Sequence, residues 1–291
     1  MALISINPDE PNWPSQSCIS RELIKEKHEE SPRRIDFTTS HRNALKRETG
    51  EYVGKFSVPF AESIKPIFES ETGLDLFLSQ QYGNYWRSLH SEDEYQNIER
   101  FIEKMGTIVF LKDTLALSIA FSAHYDESGK RTSIGWLEYQ AKYQFDDSAI
   151  NELANLCITK INNLLFFKNI KVFCAVPPSD PGQTNLPNKI ISIIEDDYDI
   201  ENISNSVYWE NEKPQLKELR FDEKWQKLDE ANLIVDREKV DDKNIILFDD
   251  LYQSGTTMQY IAMKLLEAGA KRIFGVTIVK SRGDHDNMEQ L

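Results

Sequence analysis

The sequence predicts an α/β protein built on a parallel sheet, and three observations carry that expectation. Short apolar runs at 171–176, 245–248 and 272–280 alternate with segments of helical periodicity, the pattern of parallel strands joined by helices. The clearest of those helices, 256–268, places Met258, Ile261, Ala262, Leu265 and Leu266 at i, i+3, i+4, i+7 and i+8. The chain has 291 residues, of which 40% are hydrophobic, enough for a substantial core. At about 150 residues per domain, two units, or one domain with a large N-terminal extension, are expected. The character of the sequence changes after Gly106, so the division falls at 1–105 and 106–291.

Taken in order, residues 1–20 are rich in Pro, Ser and Asn and read as irregular. The polar stretch 20–30 is a helix candidate capped by Ser20. Residues 95–105 place Ile98, Phe101, Ile102 and Met105 at helical spacing. The fold of 1–105 as a whole is not legible. The runs 107–111, 115–125 and 132–139 are β-branched and apolar, with turn chemistry at 126–131, and read as an antiparallel meander. That meander would form a strand-rich hood at the start of the second unit. Asp146 or Asp147 caps a predicted helix over 148–166. The strand 171–176 ends at Pro177-Pro178, a helix is expected at 188–195, and 196–230 reads as acidic and irregular. Gly269 stands where a helix ends.

Composition excludes several classes. No apolar run approaches the ~20 residues that cross a bilayer. The opening MALISINPDEPNWPSQS has neither a basic start nor a continuous apolar stretch, so no signal peptide and no membrane are expected, and the cytoplasm is the expected compartment. Three scattered cysteines, Cys18, Cys157 and Cys174, give no disulfide framework, and no His–Cys cluster suggests a protein-built metal site. The net charge of −14 disfavours direct nucleic-acid binding through bulk electrostatics.

The chemistry lies in ILFDDLYQSGTT, residues 246–257. An apolar strand runs into Asp249-Asp250, then a short loop, then a helix. In an open α/β sheet, ligands bind beyond the carboxyl ends of the strands. Gly255 lets the backbone approach a ligand, and Gln253, Ser254, Thr256 and Thr257 surround it with polar groups. The helix start behind them favours an anion. The carboxylates cannot bind phosphate; vicinal hydroxyls or a metal suit them. A diol and a phosphate on one strand–loop–helix together describe a ribose 5-phosphate. No GxxxxGK[ST] and no GxGxxG competes.

This segment resembles the signature of type I phosphoribosyltransferases. The resemblance implies that Asp249 and Asp250 hold the ribose hydroxyls of phosphoribosyl pyrophosphate (PRPP). It implies that 253–257 hold the 5-phosphate, and that Mg²⁺ arrives with the pyrophosphate. Three further segments are similar to the competence protein ComF-like branch: YQAKY at 139–143, KVFCAVPPSD at 171–180 and KPQLKEL at 213–219. By that resemblance Pro178 and Ser179 meet pyrophosphate through the backbone, and 106–291 is a phosphoribosyltransferase-like domain that transfers ribose 5-phosphate to a nitrogenous base. The alternative is a non-catalytic PRPP or nucleotide sensor, or a partner-binding module linked to DNA uptake, DNA processing or defence. A homo-oligomer or a protein partner is compatible with either. The stretch 180–188 departs from the branch in carrying no Arg or Lys.

Other residues stay open between two readings. Lys142 is either a snorkelling side chain or a ligand contact. Tyr252 either stacks on a ligand or shields it. Lys280, Ser281 and Arg282 either neutralise phosphate or solvate a terminus. Trp136, Trp209 and Trp225 read as packing residues, His124 as a satisfied structural histidine, and His285 as part of a polar tail.

Overall fold

The computed structural model describes residues 13–283. The end of the 1–20 lead-in and the start of the 283–291 tail fall inside that range; the rest of both, with His285, lies outside the described residues. The N-terminal third contributes α1 (Arg21–Glu29), β1 (Arg34–Asp36), β2 (Leu45–Arg47), β3 (Gly54–Val58), α2 (Ile64–Thr72), β4 (Phe77–Leu78), β5 (Tyr85–Leu89) and α3 (Glu92–Met105). The helices begin where polar caps stand: Ser20 accepts from Leu23 N–H and Ser91 from Glu94 N–H. Strands β2, β3, β5 and β4 form an antiparallel sheet in that order. Phe56 and Phe68 stack beneath it with ring centroids 4.9 Å apart.

The rest of the chain begins with β6 (Val109–Leu111), β7 (Leu117–Ala123), α4 (Ser133–Tyr143), α5 (Asp147–Asn163), β8 (Val172–Ala175), α6 (Leu186–Asp197) and β9 (Glu201–Asn202). It continues with β10 (Val207–Trp209), α7 (Phe221–Ala231), β11 (Leu233–Val235), α8 (Arg237–Val240), β12 (Asn244–Tyr252), α9 (Thr256–Glu267) and β13 (Arg272–Lys280). A seven-stranded mixed sheet runs β1-β6-β7-β13-β12-β8-β9. Its five strands from β7 to β9 are parallel, and β6 pairs antiparallel with both β7 and β1. The protein is therefore α/β with a mostly parallel sheet, and one strand of that sheet comes from residues before 105.

Two sequence expectations are corrected. Residues 132–139 are not a third strand of a meander but the start of α4. The Thr132 hydroxyl accepts from Gly135 N–H, and Ile134, Glu138 and Ala141 form the buried face at helical spacing. The β-branched and aromatic content that suggested a strand lies mainly on the other face. The predicted hood strands thus reduce to the pair β6–β7. The stretch 196–230, expected to be irregular, holds β9, β10 and α7. Within α7, Phe221, Trp225 and Leu228 bury one face between charged residues.

The sheet is covered on both sides. One core joins Ile246, Phe248 and Phe274 to α4, α5 and α6. The other joins Ile245, Leu247 and Ile273 to α7, α9 and α1. The chain leaves β8 through α6 toward the edge strand β9. It leaves the neighbouring strand β12 through α9 in the opposite direction, to β13. Adjacent strands whose connections diverge to opposite faces open a crevice at their carboxyl ends, the usual ligand position in open α/β sheets. Among the described residues no helix is long and apolar enough to cross a membrane.

Phe274 is fully buried on central β13 and meets the rings of Trp13 and Phe167. Phe274→Ala is expected to cost about 3–5 kcal/mol, measured by urea denaturation.

Candidate functional site

β12 is apolar from Ile245 to Phe248 because it lies between two strands and under helices on both faces. Polar side chains begin where it emerges, at Asp249 and Asp250. Phe248 pairs with Ala175, and Val176 N–H donates to the Phe248 carbonyl at 2.8 Å. The Pro177–Ser179 loop therefore stands beside the two aspartates, at the crevice.

Two lysines from distant elements converge on this carboxylate pair. Lys142 Nζ, from α4, lies 2.7 Å from Asp250 Oδ2. Lys213 donates its backbone N–H to the Ser179 carbonyl at 2.7 Å, and its side chain lies within electrostatic reach of Asp249. Burial pushes the Asp249 carboxyl well above the ordinary carboxylate range, and the Asp250 charge beside it adds to the shift. Burial opposes the charge on Lys142, but Asp250 and then Glu138 outweigh it and hold the ammonium above its ordinary value. Lys213 moves the other way: burial lowers it, and the pull of Asp249 offsets this only in part.

Behind Lys142, Glu138 is 1% exposed, with Oε1 3.9 Å from Lys142 Nζ and Oε2 3.4 Å from His124 Nε2. Glu138 Oε2 and His124 Nε2 are both buried without a hydrogen-bond partner. His124 therefore packs against the buried Glu138 carboxylate.

The loop after the aspartates is held from below. Gly255 adopts φ +82°, a left-handed conformation suited to glycine, and leads directly into α9. A Cβ there would come within 2.1 Å of the Tyr252 hydroxyl. Tyr252 is buried and donates to Asp113 Oδ2 at 3.1 Å, so it braces the loop from within the core. Asp113 also accepts from Leu115 N–H and the Ser118 hydroxyl. From outside the motif, Arg33 Nη2 donates to the Ser254 carbonyl at 2.9 Å. Gln259 joins the Gly255 carbonyl to Thr114. Ser254 and Thr256 are buried with their hydroxyls 3.0 Å apart, while Gln253 and Thr257 are partly exposed.

The remaining candidates separate. Pro178 is half-buried and Ser179 exposed on the loop beside β12. Lys280 is buried and donates to the Ser281 and Gly283 carbonyls. Arg282 donates to the Asp126 and Glu127 carbonyls, so these cations tie loops together. Trp209 and Trp225 are core residues, whereas Trp136 is 48% exposed. Among the described residues, no group of three or more His, Cys, Asp or Glu side chains is placed to hold a metal ion. Sequence reading missed Lys213 as a site cation, Glu138 behind Lys142, and Arg33 on the loop. Arg33 is 221 residues from Ser254, and no local pattern marks it.

The assembled site offers two carboxylates for hydroxyl groups, two ammonium groups, and a glycine loop opening on the N-terminus of a helix. A scan of the chain against protein-family models gives no match, and no curated protein matches it.

Two outcomes are expected. Gly255→Ala combines an unfavourable φ with a clash against Tyr252 and is expected to cost about 2 kcal/mol or more. Chemical denaturation checks this, and a loss below about 0.5 kcal/mol would show that the left-handed loop is not the ground state. Because the Asp249 carboxyl is raised in the folded state, the native protein binds that proton more tightly than the unfolded chain. Its contribution to stability is complete below the ordinary carboxylate value of about 4 and is lost as pH rises through the raised folded value. Asp249→Asn is therefore expected to gain on the wild type as pH rises, in thermal melts from about pH 4 to 9. Parallel curves would refute the shift.

Proposed function

We propose that this protein is a phosphoribosyltransferase-like enzyme that binds PRPP and transfers its ribose 5-phosphate to a nitrogen acceptor. One observation carries the reading. Asp249 and Asp250 stand near the carboxyl end of β12 beside the sheet's crevice, a few residues before a glycine loop that opens onto α9. Carboxylates accept hydrogen bonds from vicinal hydroxyls, and backbone N–H groups at a helix start donate to phosphate. One ribose 5-phosphate spans both, with Gln253, Ser254, Gly255, Thr256 and Thr257 around its phosphate.

In the reaction, the acceptor nitrogen's lone pair forms the bond to C1 of the ribose. The bond from C1 to the pyrophosphate oxygen breaks, and its electron pair leaves with pyrophosphate. A proton carried by the acceptor nitrogen passes to water. The transition state is oxocarbenium-like, so catalysis rests on positioning the ribose and stabilising the departing charge. Asp249 and Asp250 orient the sugar. Pro178 and Ser179 present backbone to the leaving group, and Lys142 and Lys213 bring positive charge to the same crevice. These lysines supply what the stretch 180–188 lacks. Adjacent carboxylates suit Mg²⁺, an ion bound through one or two carboxylates together with substrate phosphates. When bound, Mg²⁺ would neutralise pyrophosphate charge, with Asp249 and Asp250 as the side chains placed to assist.

A non-catalytic sensor is the second reading, favoured by the ion pair that already engages Asp250 and by the absence of basic residues at 180–188. Calorimetry with PRPP and Mg²⁺ tests the shared core of both. Wild type is expected to bind, and Asp249→Asn/Asp250→Asn to lose about 100-fold or more in affinity. Equal binding by both proteins, or none by folded wild type, would overturn the ribose 5-phosphate reading. Pyrophosphate release with an acceptor base then separates enzyme from sensor.

A further inference from the structure

The face of α4 turned away from the core carries an aromatic row that the site described so far does not use. Trp136 is 48% exposed and Tyr143 59%, with half-buried Tyr139 between them. Trp136 and Tyr139 stack with centroids 5.4 Å apart, and Tyr139 and Tyr143 lie 5.3 Å apart. Large exposed rings at helical spacing are costly in water unless something covers them. Cations attend the row: the Arg131 guanidinium lies 4.2 Å from the Tyr139 ring centroid.

The row ends at the candidate site. Lys142 Nζ is 5.9 Å from the Tyr143 ring centroid and 2.7 Å from Asp250 Oδ2. One ammonium group therefore links the outermost ring to the carboxylate assigned to the ribose. A base attached at C1 of a ribose lies only a few ångströms from the sugar's hydroxyls.

Resting on the ribose 5-phosphate reading, we infer that the aromatic face of α4 is the acceptor surface, and that the acceptor is a planar nitrogen heterocycle stacking on Tyr143, with Tyr139 and Trp136 extending the platform. Stacking needs a flat π-face on the ligand, and the adjacent cations favour electron-rich ring edges and carbonyl oxygens. The net charge of −14 selects a small neutral base over a nucleic-acid strand. Tyr139 and Tyr143 would then determine acceptor specificity without holding PRPP.

Saturation-transfer NMR with adenine, hypoxanthine and uracil tests this on wild type, Tyr143→Leu and Tyr139→Leu/Tyr143→Leu, alongside PRPP calorimetry on the same proteins. At least one base is expected to bind wild type and to weaken about tenfold in the double variant, with PRPP affinity unchanged. Tyr143→Leu, at an exposed position, serves if the double variant is unstable. Equal base binding by wild type and variants overturns the inference. So does PRPP binding without binding of any base, an outcome that leaves the ribose 5-phosphate reading standing. Loss of both ligands in wild type means that reading itself has failed. Tighter binding of a 12-nucleotide single strand, with steep salt dependence, would make the row a strand-binding surface instead. A fall in sedimentation mass in the variants would make it a contact between copies. Either result overturns the acceptor assignment.

Discussion

Two carboxylates at the end of a buried apolar strand set the central constraint on this molecule. Neighbouring anions in a poorly solvated place are unfavourable unless positive charge is brought to them. The chain brings it from two directions: Lys142 on α4 and Lys213 on the segment before α7, 108 and 36 residues from Asp250 and Asp249. Placing Lys142 requires α4 to be a helix with Ile134 and Ala141 against the sheet. Placing Lys213 requires its backbone to dock on the Pro177–Ser179 loop. The compensating charges thus also define the walls of the crevice.

The glycine loop is subject to a second constraint, from beneath. Tyr252 fills the space a side chain at Gly255 would need, and Asp113 holds its hydroxyl. Asp113 is enclosed, and burial raises its pKa despite the hydrogen bonds from Ser118, Leu115 and Tyr252 that favour its ionised form. The N-terminal third contributes to the same frame. Arg33 holds the Ser254 carbonyl, Arg34 the Ser281 carbonyl, and Trp13 the Phe166 carbonyl. Residues that read as a separate extension in the sequence therefore supply a sheet strand and a support for the loop.

Legibility followed the range of the interactions. Helix α9, strands β12 and β13, and the Ser20 and Asp146 caps were visible because each depends on neighbours a few residues apart. Helix α4 was misread because Ile134, Trp136 and Tyr139 favour strands intrinsically, whereas packing against β7 and α5 decides their conformation. Helix α7 was hidden because three apolar anchors among seven charged or amide residues make a weak periodic signal.

By itself the sequence determined the parallel α/β character, the order of the C-terminal strands and helices, and the acidic strand end followed by a glycine loop. These follow from apolar periodicity and from what glycine and hydroxyl residues do locally. Only the tertiary structure decided that Lys142 pairs with Asp250, that Lys213 comes within electrostatic reach of Asp249, and that Tyr252 points into the core. It alone set Arg33 on the loop and left Trp136 and Tyr143 exposed on the helix whose Lys142 reaches Asp250. Each of those outcomes depends on which distant surfaces the folded sheet brings together, and no local spacing in the chain records that.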